Sequence, residues 1–335
     1  MNKIGLHIIN GWSGYLGHPA LVKLVNVSPE YVREVRAEVG GGCLIIVRWT
    51  QAEQPLDNPL QRARQFVEWN KPEMLEMRRV GGERIAFEGF NEISGSRNAA
   101  YCAFEVERMR LLHELGLNAV VGNFSIGTPA LSAWAVYRPM LQAMREGDLL
   151  GLHEYWVDTS DIDNRWHCGR WRLSRELEGV PIVVTECGRD RVENKGAAGW
   201  MRTCGPDEFV GDLHKYNALL EQSHIYGAAV FTVGGTDEWR PFNVTPVWPD
   251  VVDSYVSTPA PPIPTPRRPL PSDETATDVG TLLEKVRWFQ EEAVRQLQDL
   301  DVDRRSYAMQ IMYDLIDRED GLLYRAERAA KHTLD

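Results

Sequence analysis

Short apolar runs recur along the chain as far as about residue 256, separated by stretches with a helical period. The runs are Ile4–Ile9, Leu21–Val27, Leu44–Val47, Ile85–Phe90, Asn118–Val121, Leu149–Leu152, Pro181–Thr185 and Ala228–Val233. They are four to seven residues long and rich in β-branched side chains, as strands buried on both faces are. Between them, Pro29–Val39 reads as a helix capped by Ser28 with Pro in its first turn. Ala100–Leu115 gathers Phe104, Leu111, Leu112 and Leu115 on one side, and Gly116 stops it. Leu131–Arg145 and Glu208–His224 have the same character. Alternating βα units predict an α/β protein with a parallel sheet and helices outside it. Eight such units in one stretch predict a closed (β/α)₈ TIM barrel over residues 1–256 rather than an open doubly wound sheet.

The pattern changes after the eighth run. Seven prolines fall between Pro259 and Pro271, so 257–272 reads as a stiff, extended linker. Beyond it, Leu282, Val286, Phe289, Ala293, Leu297 and Leu300 recur at spacings of three and four, and Ala308, Ile311, Met312, Leu315 and Ile316 do so again. Residues 273–335 therefore read as a helical hairpin. Two short helices bury little surface alone, so the apolar seam is expected to self-associate, or else to pack on the barrel or a partner.

Composition narrows the partners. The formal net charge of −11 speaks against nucleic acid, which needs a basic face. No window of 18 apolar residues suggests a membrane span. The amino-terminal residues enter a strand-like run without a signal-peptide pattern, so a cytoplasmic location, or release by lysis, is expected. The five cysteines, Cys43, Cys102, Cys168, Cys187 and Cys204, form no C-x-x-C pair and read as idle thiols. His153-Glu154 lacks the second histidine of H-E-x-x-H, Gly40-Gly41-Gly42 lacks a following Gly-Lys-Ser/Thr, and no G-x-S-x-G occurs. No metal or organic cofactor is expected.

In a parallel barrel the reactive groups follow the strand ends. Glu92 comes just after the fourth run and Glu186 just after the seventh. Two carboxyl groups facing each other across a barrel mouth are what glycoside hydrolysis requires. One protonates the leaving oxygen; the other attacks the anomeric carbon or activates water. Glu88 shares strand parity with Glu92 and reads as a structural partner of Lys23, Arg48 or His7. Glu154 should point away from the site. Asp237 and Glu238, after the eighth run, are placed to meet substrate hydroxyls or to be a solvated loop.

Asn91-Glu92, His153-Glu154-Tyr155 and Thr185-Glu186, at the ends of the fourth, sixth and seventh runs, together resemble clan A of the glycoside hydrolases. Glu88-Gly89-Phe90-Asn91-Glu92, Val121-Gly122-Asn123-Phe124-Ser125 and Gly151-Leu152-His153-Glu154-Tyr155 are more narrowly similar to clan-A-like barrels of bacterial and phage sequences. The resemblance covers residues 4–256. It implies a retaining hydrolase acting on an oligo- or polysaccharide, with Glu92 as acid/base and Glu186 as nucleophile. It also implies that Tyr155 bonds the nucleophile, that His153 shares the site, and that Asn91 contacts a sugar 2-hydroxyl. The chain departs from the clan at two places. The usual strand-two arginine is missing, leaving Lys23 or Arg48 to orient the nucleophile. The frequent strand-eight tryptophan is replaced within Phe231-Thr232-Val233-Gly234, with Trp239 following.

Eleven tryptophans add a second theme, because indole faces stack on the C–H faces of sugars. Trp12, Trp49, Trp156, Trp200 and Trp239 follow strand runs and are candidates for sugar contact, Trp156 and Trp239 foremost. Trp69, Trp134 and Trp288 fall in helical patterns and read as packing. Two alternatives remain open: a phage-type, muramidase-like cell-wall lytic glycosidase, and a non-catalytic carbohydrate-binding barrel whose tail mediates assembly.

Overall fold

The computed structural model describes residues 2–254 apart from 192–197, 222 and 224. The linker at 257–272 and the helical hairpin at 273–335, with Trp288 and any self-association through them, lie outside the described residues.

Eight parallel strands close into a barrel in chain order. They are β1 (Ile4–Ile9), β2 (Leu21–Val25), β3 (Leu44–Arg48), β4 (Ile85–Glu88), β5 (Asn118–Phe124), β6 (Leu149–Trp156), β7 (Ile182–Arg189) and β8 (Ala228–Val233). Outside them lie α1 (Pro29–Val39), α2 (Pro59–Gly81), α3 (Asn98–Glu114), α4 (Trp134–Ala143), α5 (Pro206–Glu221) and α6 (Trp248–Val252). The Ser28 hydroxyl accepts from Tyr31 N and caps α1 as its sequence predicts. β1 passes to β2 without a helix, and β6 reaches β7 through short 3₁₀ turns. The strand pattern does not single out α2, a helix of 23 residues with Pro72 inside it. Proline is a breaker signal, and it masks the period on which Phe66, Val67, Met74 and Met77 are buried. Among the described residues no helix is long and apolar enough to cross a membrane.

Strand alternation sorts the apolar side chains into two cores. Ile45, Val47, Ile85, Phe87, Leu150, Leu152, Ile182 and Val184 face the helices in one large cluster. Leu21, Leu44, Ile46, Ala86, Val120, Leu149, Val183 and Ala229 fill the barrel interior in another. A fully buried aliphatic side chain of this kind contributes about 1.5–3 kcal/mol. The next inward positions toward the C-terminal rim are His7, Lys23, Arg48 and Glu88, so the interior changes from apolar floor to charged ceiling within one layer.

Three strands break the alternation. β5, β7 and β8 each carry an extra residue against a neighbour. In β7 the slip falls at Thr185: Leu152 pairs with Val184, and His153 pairs with Glu186. Regular alternation from Ile182 would turn Glu186 toward the helices; the bulge turns it inward and sends Cys187 outward into the helix-side core.

Glu154 faces outward from β6, as its parity predicts. It accepts from the Tyr216 hydroxyl at 2.5 Å and from Gly169 N at 2.7 Å, tying the strand to α5. Burial pushes its carboxyl up to about 7, against the opposing pull of those hydrogen bonds. Between the ordinary carboxylate pKa and that value, the unfolded chain releases a proton that the folded one keeps. Stability should therefore fall by about 3 kcal/mol as pH rises from about 4.5 to 7, then level off. Denaturant titrations across that window should show the decline, and Glu154→Gln should flatten it. An unchanged slope in the variant would remove Glu154 as its source.

Candidate active site

Two peptide segments bring the carboxylates to the rim. After β4 the chain runs through Gly89, where a Cβ would lie 2.6 Å from Glu105 Oε1 and 2.7 Å from Arg108 Nε. Those two form a fully buried pair behind the strand. Arg108 also donates to Phe87 O at 3.0 Å and Val120 O at 2.8 Å, clamping β4 to β5. Asn91 then exchanges backbone hydrogen bonds with the Gln54 side chain. Glu92 takes a left-handed conformation with φ +57° and donates its N–H to Asn123 O at 3.0 Å. A non-glycine residue there costs energy, and these contacts hold it in place. On the opposite wall, the Thr185 bulge aims Glu186 inward from β7.

The two carboxyl groups meet. One oxygen of Glu92, one of Glu186 and a ring nitrogen of His153 lie within 4.8 Å of one another. His153 Nδ1 is 2.8 Å from Glu92 Oε1 and 3.5 Å from Glu186 Oε2, so the imidazole stands between them. The Tyr155 hydroxyl donates to Glu186 Oε2 at 3.1 Å. Lys23 Nζ donates to Glu186 Oε1 at 2.9 Å, and Arg48 Nη1 lies 3.7 Å from the same oxygen. Both residues thus occupy the place that the sequence left open between them. Lys23 also lies 3.1 Å from Glu88 Oε2, and Arg48 Nε 3.8 Å from it. His7 completes the ring, with Nδ1 2.7 Å from Thr232 Oγ1 and Nε2 3.8 Å from Glu186 Oε1. The Thr232 hydroxyl donates to His7 O at 3.0 Å, so it accepts the Nδ1 proton.

The two glutamates live in different surroundings. Glu186 is almost wholly buried, which alone would raise its pKa. His153, Lys23 and Arg48, in that order, outweigh burial and hold it well below the usual carboxylate range. The Glu92 side chain is 40% exposed at the mouth. Its burial also acts upward, as does Glu186, but hydrogen bonds from His153 and Ser125 leave its pKa lowered. Burial, then the Lys23 charge, pushes His7 far down, so it is neutral at ordinary pH. Burial and the Glu186 charge keep the Tyr155 phenol protonated.

Glu92, His153 and Glu186 have a spacing that a cation could also use. A divalent ion there would share the Glu186 carboxylate with two cations, Lys23 Nζ at 2.9 Å and Arg48 Nη1 at 3.7 Å from Oε1, and their repulsion makes the trio a poor seat for a metal.

No protein-family model matches the chain, and no curated protein matches it. Several solved structures are similar to it. A GH26 β-mannanase from Bacteroides ovatus is 14% identical with a TM-score of 0.44, over 82% of this chain and 94% of that one. An endo-β-1,4-glucanase from Xanthomonas axonopodis pv. citri is 11% identical with a TM-score of 0.47, over 76% and 98%. A β-mannanase from Thermomonospora fusca is 14% identical with a TM-score of 0.43, over 72% and 84%.

The remaining candidates divide. Trp156 is not at the sugar-facing surface: β6 extends through it, its parity turns it outward, and it is fully buried. Its indole N–H donates to Asp212 Oδ2 at 2.9 Å and its ring packs on Tyr216. Trp200 is likewise buried, stacked on Phe209 at 4.9 Å. Trp12 and Trp49 are half-buried, Trp49 bonding Glu73 through Nε1. Trp69 is 86% exposed on α2 rather than packed, whereas Trp134 is buried. Trp239 is half-buried and meets Phe231 edge-on at 5.1 Å. Phe231, on β8, packs 4.8 Å from the His7 ring and 6.4 Å from Tyr155, beside the site. Asp237 and Glu238 are exposed in a 3₁₀ turn after β8. The sequence gives no role to Ser125, directly after β5, or to Gln54, six residues after β3; neither carries an ionisable group.

Proposed function

We propose that this barrel is a retaining O-glycoside hydrolase acting on an oligo- or polysaccharide, with Glu186 as nucleophile and Glu92 as acid and base. The supporting observation is the close approach of the two carboxyl groups, within 4.8 Å. Double displacement uses a gap of about 5–5.5 Å, whereas inversion needs roughly 6.5–9.5 Å to seat a water.

The chemistry follows from the two environments. Glu186, anionic and braced on Oε1 by Lys23, attacks the anomeric carbon. The glycosidic C–O bond breaks, and the leaving oxygen keeps the electron pair and takes a proton from Glu92. Glu92 and His153 share one proton across 2.8 Å. A sugar covering the exposed edge of Glu92 disfavours its charged form, so that proton moves to the carboxyl. Water then attacks the glycosyl ester, gives a proton to Glu92, and the ester bond returns its electrons to Glu186. Asn91 Oδ1 is buried without a hydrogen-bond partner, as suits an acceptor for a sugar 2-hydroxyl.

Treatment with a panel of activated 2-deoxy-2-fluoro glycosides tests the proposal. One sugar should leave a single glycosyl adduct, and peptide mapping should place it on Glu186. Adducts confined to another residue, or hydrolysis with inverted products, would overturn it.

His153 is the foremost of the charges that hold the Glu186 carboxyl down, so His153→Asn should move the acid limb of the pH profile of kcat/KM upward. Loss of the imidazole raises Glu186, whose ionisation sets that limb. An acid limb that stays put would separate His153 from the ionisation of the nucleophile.

A further inference from the structure

Glu88 is the odd member of the charged layer. Its side chain is fully buried, and neither of its oxygens has a hydrogen-bond donor. Its favourable contacts are two cations, Lys23 Nζ at 3.1 Å and Arg48 Nε at 3.8 Å. Both cations also serve Glu186, at 2.9 Å and 3.7 Å. A barrel needing only to brace the nucleophile could place an apolar residue at 88 and spare the cost of burying another charge.

Counting charges gives Glu88 a purpose. With Glu186 ionised, Lys23, Arg48, Glu88 and Glu186 sum to zero. Esterification of Glu186 removes one negative charge and leaves the group at plus one. Without Glu88 the same step would leave two buried cations facing an uncharged ester. We propose that Glu88 is a positioning residue that acts through Lys23, keeping that lysine balanced while Glu186 carries the glycosyl group. The proposal rests on the double-displacement reading of the site.

Its direction is specific. Glu88→Gln removes a negative charge near Glu186 and so favours the free carboxylate over the ester. The carboxylate becomes a poorer nucleophile and a better leaving group. Formation of the fluoroglycosyl adduct should slow about tenfold, while its decay in water should quicken by a similar factor. Mere loosening of the site would slow both steps. Glu88→Asp keeps the charge and should keep both rates close to wild type, which also guards against a variant that fails to fold.

The experiment is to trap the full-length protein with the fluoro-sugar that labels it, then follow adduct formation and reactivation by intact mass in wild type, Glu88→Gln and Glu88→Asp. Opposite changes in the two rates for Gln, with Asp near wild type, support the role. Equal slowing of both, unchanged rates, or misfolding of both variants overturns it. Failure of the wild type to form any adduct would remove the covalent reading and this one together, and so is distinguishable from failure of this proposal alone.

Discussion

Replacing Glu186 by alanine should lower turnover by roughly 10⁵-fold, the scale on which removing an essential nucleophile acts. The loss has two sources. The attacking oxygen disappears, and so does the anion that the growing positive charge at the anomeric carbon faces. The cavity left beside Lys23 Nζ can hold azide or formate, because Lys23 and Arg48 still offer a cationic seat. Added azide should restore cleavage of an activated aryl glycoside. Its product should be a glycosyl azide of inverted anomeric configuration, since one displacement now replaces two. Proton NMR of that product decides the matter. No rescue on a substrate that the wild type cleaves would count against Glu186, and an azide of retained configuration would assign it the other role. Circular dichroism should show a folded barrel, because Glu88 remains to partner Lys23.

Glu92→Ala should behave differently, and the contrast is the second large effect. On substrates with poor leaving groups, loss of the general acid should cost about 10²–10⁴-fold in kcat/KM. On an activated aryl glycoside that leaves without a proton, the same variant should retain most of its kcat/KM. Ester hydrolysis, now without a base, becomes rate-limiting, so a burst of aryl alcohol should precede a slow steady state. Azide should relieve that slow step and yield a glycosyl azide of retained configuration, formed by a second displacement on the ester. Rate losses independent of leaving-group pKa would move the acid role to another residue.

Much of the architecture is legible in the apolar runs. All eight predicted strands exist, and the barrel follows from their number and alternation with helices. The strand ends are where the reading fails. Leu149–Leu152 ends, as an apolar run, at the first charged or polar residue, yet β6 continues to Trp156 because its inward positions there are the site itself. That error made Trp156 look like a loop aromatic. With the strand at full length, parity alone would have sent it outward beside Glu154. Glu92 and Glu186 stand out because carboxylates beside buried strands are costly. Lys23 and Arg48 could not be ranked, since both side chains are long enough to reach one oxygen from neighbouring strands. Trp69 shows the limit of pattern on a helix: a periodic position says which residues share a face, not whether anything covers that face.

The extra residue at Thr185 uncouples the length of β7 from the direction of its rim. Ironing that kink flat at unchanged length would exchange the two faces of everything downstream, presenting the Cys187 thiol to the substrate and driving the Glu186 carboxylate among the helices. Removing one amino acid from Ile182–Thr185 would instead take the slack out of the strand and leave Glu186 opposite His153, still aimed inward. Descendants of this gene should therefore tolerate a shortened strand better than a full-length one that pairs without its kink.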